Sequence, residues 1–222
     1  MTETTKSGLA EFIGTFTLVF VGAGAGALLG GEGTTGLIGV ALAHGFILSI
    51  IVYTWGPISG AHVNPAVTFG VLVAGKIDLP KALCYWISQL LGGIAAAYLL
   101  MWLVGAESGL GQTVGRLTNE GATAKVLVLE AVLTFFLVAA VFGSAVTGRN
   151  GNAYGIAIGF VLTGDILAGG PLTGASMNPA RTLGPALAAG NLGYVWMYFI
   201  GPLVGGLVVG ALFRALYMDG KR

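Results

Sequence analysis

The sequence predicts an all-α membrane protein, in which six transmembrane helices and two re-entrant half-helices form an inverted three-plus-three repeat. Three observations lead to this prediction. The 222 residues are 55% hydrophobic and only 9% charged, whereas a soluble globular domain is about 25% charged. Six segments are long and apolar enough to cross a bilayer. A motif that contains Asn-Pro-Ala occurs twice.

The composition excludes several other classes of protein. Disordered chains are poor in apolar residues, which this chain is not. The 39 glycines show no three-residue period and prolines number only seven, which excludes a collagen-like chain. The net charge is +1 and no basic cluster is present, so no nucleic-acid partner is expected. The high glycine content indicates unusually close packing between helices.

The six predicted spans follow from the need for about 20 mostly apolar residues in a transmembrane helix. They cover residues 8–30, 36–57, 82–105, 124–145, 153–170 and 194–217. No cleavable signal peptide is evident, because the first span is long and lacks a preceding basic cluster. An even number of spans places both termini on the same side of the membrane.

The distribution of basic residues predicts which side this is. Arg116 and Lys125 lie in loops on the face opposite to the termini. Seven basic residues lie on the face shared by the termini: Lys6, Lys76, Lys81, Arg149, Arg214, Lys221 and Arg222. By the positive-inside rule both termini are cytoplasmic. In a prokaryotic cell the protein would lie in the cell membrane.

Two short segments between the spans match each other. Residues 58–70 and 172–184 share seven identical positions at an offset of 114 residues. Glu11-x-x-x-Thr15 in the first span and Glu130-x-x-x-Thr134 in the fourth extend the match. We therefore divide the single membrane domain into repeats of residues 1–118 and 119–222. Three spans per repeat is an odd number, so the second repeat is inverted in the membrane.

The repeated motifs predict two half-helices that begin in the middle of the membrane, over residues 64–73 and 178–188. Asn is a favoured N-cap and Pro is favoured at the first helical position, as in Asn64-Pro65 and Asn178-Pro179. Each apolar stretch is too short to cross the bilayer. Inversion points the two positive helix ends at one another.

These features give a resemblance to a known family. Two Asn-Pro-Ala motifs, with Arg181 directly after the second, resemble the aquaporin (major intrinsic protein) family over essentially the whole chain. The segment 60–70, with 166–170 and 174–180, is most similar to the plant tonoplast intrinsic branch and its microbial relatives. The resemblance implies a water channel that excludes ions and protons, a homotetramer in membrane lipid with one pore per subunit, and no cofactor.

The resemblance also assigns residues to the pore. The central constriction is expected at Asn64, Pro65, Ala66, Asn178, Pro179 and Ala180, where the two Asn amides donate to a passing water. A ladder of pore-facing carbonyls is expected at Gly60, Ala61, His62, Gly174, Ala175 and Ser176. Glu11 and Glu130 are expected to accept hydrogen bonds from the loops that carry the motifs.

The outer constriction, or selectivity filter, is expected at His44, Ile166, Ala175 and Arg181 by similarity to the family. Strict water channels usually have an aromatic residue in place of His44 and a histidine in place of Ile166. The combination found here resembles the tonoplast pattern, which is associated with water and ammonia. Segment 106–123 lacks the histidine of some ammonia-passing relatives, which weakens that alternative.

Other solutes and classes remain as alternatives. Thr182, where glycerol channels carry Asp, makes glycerol less favoured than water. Asp165 stands where tonoplast members typically have Asn, and it could bind Arg181, pair with His44 or line the outer vestibule. The buried carboxylates also permit an ion- or proton-coupled secondary transporter. An enzyme and a metal site are not expected, because no nucleophile–base or ligand cluster is apparent. The lone Cys84 forms no intramolecular disulfide.

Overall fold

The computed structural model describes residues 1–148 and 151–217, and α-helices make up most of this part of the chain. The helices are, in order, α1 (Glu3–Leu29), α2 (Gly33–Ser59), α3 (Pro65–Val73), α4 (Leu79–Val104), α5 (Arg116–Asn119), α6 (Thr123–Val141), α7 (Tyr154–Thr173), α8 (Pro179–Ala188) and α9 (Met197–Tyr217). Six helices in the described residues are long and apolar enough to cross a membrane. They are α1, α2, α4, α6, α7 and α9, and the predicted fold class is confirmed.

The observed spans begin and end within a few residues of the predicted ones. Helix α1 starts five residues earlier than expected, at Glu3, because the Thr2 hydroxyl accepts from Thr5 N at 3.2 Å and caps a polar first turn. Helix α6 continues into a π-helical turn, Phe142–Val146, which completes the fourth span. Three residues of the counted basic set, Arg149 and residues 221 and 222, lie outside the described residues.

Helices α3 and α8 are the two half-helices. They contain nine and ten residues, which at 1.5 Å per residue gives a length of about 14–15 Å, half the thickness of the hydrocarbon core. Asn64 and Asn178 have extended backbone angles and stand directly before them as N-caps. Each half-helix therefore starts inside the protein.

Equivalent close contacts join the helices of the two repeats. A methyl group added at Gly92 in α4 would overlap the carbonyl oxygen of Phe12 in α1. One added at Gly205 in α9 would overlap the carbonyl oxygen of Ala131 in α6. Only a residue without a side chain lets these backbones approach so closely. The α1–α4 and α6–α9 pairs are thus packed in the same way.

Helices α2 and α7 cross where the two repeats meet. A methyl group on Gly45 would overlap Thr163 Oγ1, and one on Gly159 would overlap Ser49 Oγ. Both the glycines and the hydroxyl residues are 114 residues apart, which is the offset of the repeated motif. The two halves of this contact are therefore equivalent and are related by the pseudo-twofold axis of an inverted repeat. The boundary at residues 118 and 119 stays a prediction.

Candidate pore and its two constrictions

The loops that follow α2 and α7 have an unusual backbone conformation. Gly60 and Gly174 end the two helices with φ angles of 89° and 83°, in the left-handed region that favours glycine. Four residues with side chains also have positive φ: Ala61, Val63, Ala175 and Met177. Such residues cost about 1–3 kcal/mol each and persist only where their surroundings hold them. The loop carbonyls are consequently not paired as they would be in a helix.

The Glu11 carboxylate, fully buried in α1, holds the first loop. Its Oε1 accepts from Ser59 Oγ at 2.6 Å and His62 N at 2.9 Å. Its Oε2 accepts from Val63 N and Gln89 Nε2, both at 2.7 Å. Four donors around one carboxylate compensate for its removal from water.

The Glu130 carboxylate, fully buried in α6, holds the second loop in the same way. Its Oε1 accepts from Thr173 Oγ1 at 2.7 Å and from Ser176 N at 3.1 Å, and its Oε2 accepts from Met177 N at 2.8 Å. The sequence analysis expected backbone donors for both glutamates but did not foresee the two hydroxyl donors or Gln89.

Two buried tyrosines, whose role was not predicted from the sequence, bind the last carbonyls of α2 and α7, directly before the two glycines. Tyr85 in α4 donates its hydroxyl to the carbonyl oxygen of Ser59 at 2.6 Å. Tyr198 in α9 donates to the carbonyl oxygen of Thr173. The tyrosines are 113 residues apart and their acceptors 114 apart, so aligning the repeats would have revealed the pair.

The amide side chains of Asn64 and Asn178 meet across the pseudo-twofold axis. Asn64 Oδ1 accepts from Ala66 N at 2.8 Å, while its Nδ2 donates to the carbonyl oxygen of Met177 at 2.9 Å. Asn178 Oδ1 accepts from Ala180 N at 3.0 Å, and its Nδ2 donates to the carbonyl oxygen of Val63 at 2.9 Å. An amide nitrogen has two hydrogens, so each side chain keeps one further donor.

The Pro and Ala residues of the motifs form the packed tips of the half-helices. Ala66 and Ala180 are fully buried. Methyl groups on Gly206 and Gly93 would lie 2.5 Å from the carbonyl oxygens of Ala66 and Ala180, respectively, so α9 and α4 press on the tips. Pro65 and Pro179, each at the first helical position, are also buried, and the carbonyl oxygen of Pro65 accepts from an indole N–H in α4 at 3.0 Å.

A narrow cavity with a volume of about 40 Å³ passes these groups. A cavity needs at least about 10–15 Å³ to admit a water molecule, so this one is large enough for water. One part of its wall is polar and contains Gly60, Ala61, His62, Asn64, Ala175, Ser176, Asn178 and Arg181. The rest is mostly apolar and includes Leu48, Val52, Leu137, Ile158 and Leu162. Gly174, also expected in the carbonyl ladder, lines a different and wider cavity.

His44 lies at the end of the narrow cavity, on α2. Its Nδ1 lies 2.8 Å from the carbonyl oxygen of Val40, which can only accept, so we assign the hydrogen to Nδ1. Nε2 is then an acceptor in the neutral ring, and Arg181 Nε points at it from 3.4 Å. The ring is thereby oriented from both of its nitrogens.

Arg181, in the first turn of α8, has two identified hydrogen-bond acceptors. Nε faces His44, and Nη1 donates to the carbonyl oxygen of Gly111 at 2.6 Å. A guanidinium group has five N–H donors, so three have no hydrogen-bond acceptor among the described residues. Within residues 1–148 and 151–217, no carboxylate lies within ion-pair distance of this group, so its positive charge is not neutralised by direct contact.

The wider cavity, with a volume of about 1070 Å³, lies next to the narrow one and shares Arg181 with it. Ile166 belongs to its wall, and Ala175 belongs to the narrow cavity. Of the four expected filter residues, His44 and Arg181 are in contact, and Arg181 lies where the two cavities meet. The grouping of all four as a filter stays a prediction. Ile166 and Ala175 also belong to the same buried apolar cluster.

Asp165 does not take any of the three roles considered for it. It is 6% exposed, it lines neither cavity, and no hydrogen bond to Arg181 or His44 is present in the described part of the chain. Its Oδ2 has no hydrogen-bond partner among the described residues. The carboxyl group therefore lies within the protein and outside both cavities.

The rim of the wider cavity is fixed by a tyrosine outside the spans. Tyr194 donates its hydroxyl to Gln112 Oε1 at 2.9 Å, and Gln112 lines the cavity. Burial raises the pKa of Tyr194 to about 12, against an opposing effect of Arg181. The hydroxyl therefore keeps its hydrogen near neutral pH. The described residues contain no group of three or more His, Cys, Asp or Glu side chains that could hold a metal ion.

We compared the sequence and the fold of the chain with those of known proteins. Residues 1–213 match the family model described as "Major intrinsic protein". The chain belongs to this family. It is similar to Aquaporin TIP1-1 of Zea mays, with 45% identity over 224 residues that cover 96% of this chain and 88% of that protein. Aquaporin TIP2-1 of Arabidopsis thaliana is 41% identical, with coverage of 96% and 88%. The resemblance inferred from the motifs is confirmed.

Solved structures show the same fold. The aquaglyceroporin from Plasmodium falciparum superimposes with a TM-score of 0.80 at 25% identity, covering 97% of this chain and 98% of that one. A chain described as an FNT family ion channel reaches a TM-score of 0.61 at 16% identity, covering 99% and 90%, and is a likeness of fold alone.

Proposed function

We propose that this member of the major intrinsic protein family is a passive channel that conducts water in single file and excludes ions and protons. The observation that carries the proposal is the narrow cavity between Asn64 and Asn178, each of which has one free amide hydrogen. The relatives named above are aquaporins, and accordingly the chain is a channel and not an enzyme.

The proposed pore replaces the hydrogen bonds of bulk water along one wall only. Loop carbonyls supply acceptors and the two amides supply donors, while the apolar wall supplies neither. A water whose oxygen accepts from both amides cannot accept from its neighbours in the file. The orientation of the water chain therefore reverses at the centre, which interrupts proton transfer along it.

Cations are opposed by fixed positive charge at two depths. The N-termini of α3 and α8 face the centre of the pore, and each helix end carries the equivalent of about half a positive charge. Arg181 adds a full charge at the junction of the two cavities. Because both lie where water is scarce, the repulsion is screened less than at a surface.

The second candidate function is a mixed channel for water and ammonia. It is favoured by the apolar side of the outer constriction, where Ile166 and Ala175 pack in one cluster. Such a wall penalises a small neutral solute less than an ion. Glycerol is less favoured, and here the Thr182 hydroxyl is occupied by Thr113 at 2.7 Å and Ser176 at 2.6 Å.

A coupled transporter is the alternative from a different class, and the contacts of the two loop glutamates argue against it. Glu11 and Glu130 each accept from three or more donors in the structure. A carboxylate that binds and releases a coupling ion would have to exchange these partners in every cycle. Transport of a solute against its gradient, driven by protons or sodium ions, would support the transporter instead.

The assembly and orientation are part of the same proposal. We infer a homotetramer in membrane lipid, with one pore in each subunit and both termini in the cytoplasm, and in a prokaryotic cell the membrane would be the cell membrane. Many apolar side chains, such as Phe46, Phe160 and Trp196, are exposed on the single chain and are available to lipid or to neighbouring subunits.

Permeability to three solutes on one preparation of proteoliposomes tests the proposal. Stopped-flow light scattering after an osmotic step measures water and glycerol, and an encapsulated pH-sensitive dye measures ammonia entry. We expect water flux well above that of protein-free vesicles and no glycerol flux. Ammonia entry above that of a strict water channel selects the mixed pore. Water flux equal to that of empty vesicles refutes both.

A further inference from the structure

Gly22 of α1 lies directly against the ring of His44. A methyl group at this glycine would overlap Cδ2 and Nε2 of the imidazole and would lie 2.8 Å from its Cε1. Carbon atoms in ordinary contact are about 3.5–4.0 Å apart. Both residues are buried, so no solvent-filled gap separates them. The histidine therefore occupies the place that any side chain at Gly22 would need.

The ring cannot move away from such a side chain without a change in the pore. On one side it is held by the bond from Nδ1 to the carbonyl oxygen of Val40 at 2.8 Å, and on another it faces Arg181. The remaining open side is the narrow cavity that His44 lines. Pressure from α1 would consequently drive the imidazole into the lumen or against the guanidinium group.

One turn further along α1, Gly26 packs closely against Gly111, whose carbonyl binds Arg181. A methyl group there would lie 3.1 Å from Gly111 Cα and 3.9 Å from Arg181 Nη2. The Gly111 carbonyl is the acceptor for Nη1 of this arginine. Gly111 is itself pressed on α1, because a methyl group on it would overlap the carbonyl oxygen of Ala23.

We propose that Gly22 is a specificity-determining position of the channel, which sets the width of the outer constriction by letting the His44 ring lie back against α1. It is a positioning residue, since it acts through His44 and has no side chain of its own in the pore. Gly26 has the corresponding effect on the Gly111–Arg181 contact. The inference rests on the proposed function, in which this junction limits permeation.

A double-mutant cycle between Gly22→Ala and His44→Ala tests the inference. Water and ammonia permeability per reconstituted channel are measured for the unmodified protein, both single variants and the double variant. We expect Gly22→Ala to lower water permeability at least about fivefold, the effect of an overpacked contact placed at the constriction. We also expect it to change the ratio of ammonia to water permeability.

The His44→Ala background removes the ring that the added methyl group would strike. In this background Gly22→Ala should change neither water permeability nor the ammonia-to-water ratio by more than about twofold, because independent sites add and directly contacting sites do not. An equal fold-reduction by Gly22→Ala in both backgrounds would overturn the inference, since the methyl group would then act through something other than His44.

Gly24→Ala is the matched control on the same helix. A methyl group there meets only Leu100 Cδ2, at 3.2 Å, which is the end of a flexible side chain away from the pore. It should retain the water permeability of the unmodified channel. If the Gly22→Ala variant cannot be purified in useful amounts, the yield of monodisperse protein replaces permeability as the quantity compared in the double-mutant cycle. Restoration by His44→Ala then supports the inference, and failure to restore overturns it.

The proposed function and this inference fail in different ways. An unmodified protein with no water flux above that of empty vesicles refutes the function. An unmodified protein with clear flux, together with Gly22→Ala at the same flux and the same ammonia-to-water ratio, refutes the inference and leaves the function intact.

Discussion

Replacement of Glu130 by Gln tests whether the buried carboxylate holds the second loop in place. The amide that results keeps one oxygen, which can still accept from Thr173 Oγ1 and Ser176 N. The amide nitrogen then faces Met177 N, a donor, where an oxygen accepted at 2.8 Å. One hydrogen bond is replaced by a contact between two donors.

The expected cost follows from these three bonds. Loss of a hydrogen bond to a charged group costs about 1.5–3 kcal/mol, and weakening two charge-assisted bonds to neutral ones costs about 1 kcal/mol each. The total is about 3.5–5 kcal/mol. For a chain of this length that lowers the midpoint of thermal unfolding by about 6–20 °C.

The assay is the fraction of monodisperse protein that survives heating in detergent, together with water permeability after reconstitution. Glu120→Gln is the control. Glu120 is 52% exposed and pairs with Arg116 at 3.7 Å, and surface pairs contribute only about 0–1 kcal/mol. A Glu130→Gln variant with an unchanged midpoint and unchanged water permeability would refute the assigned role of the carboxylate.

Three further substitutions test other parts of the account. Arg181→Ala should raise proton leak, read with an encapsulated pH dye, while water flux is retained, because the positive charge shared by the two cavities is removed; an unchanged leak counts against its role. Tyr198→Phe removes the hydroxyl that donates to Thr173 O and should cost about 1–2 kcal/mol in thermal stability, whereas Tyr98→Phe at an exposed position should not. Asp165→Asn removes a buried carboxyl group whose Oδ2 has no hydrogen-bond partner among the described residues. The stability of the protein should therefore stay equal or rise, and its water permeability should not change. Reduced permeability in that variant would mean that Asp165 does line the pore.

The fold was predictable because its signals repeat along the chain. Apolar length identified the spans, and the two Asn-Pro-Ala motifs identified both the half-helices and the inversion. The ends of the elements were less accurate, since they depend on local capping. Helix α1 begins at Glu3 because Thr2 caps it, and α9 begins at Met197 after a series of turns.

The site was predictable only where a residue type signals its own role. Asn64 and Asn178 are N-caps by chemistry, and a buried glutamate demands donors. Their cross-contacts with the carbonyls of Met177 and Val63 depend on the left-handed conformations of those residues, which no local pattern announces.

Contacts that distant helices make through glycines and backbone carbonyls could not be predicted from the sequence. Gly22 looks like any other glycine in a glycine-rich span until its distance to the His44 ring is known. The acceptor for Arg181 could not be predicted either. It is the backbone carbonyl of Gly111, whose position depends on the packing of segment 106–115 against α1.

The osmotic water permeability of proteoliposomes, measured over a range of temperatures, tests the central claim most directly. The account predicts flux well above that of protein-free vesicles and only weakly dependent on temperature, because water passing the narrow cavity exchanges hydrogen bonds instead of losing them. Flux that equals that of the lipid alone, or that rises with temperature as steeply as permeation through lipid, would contradict it.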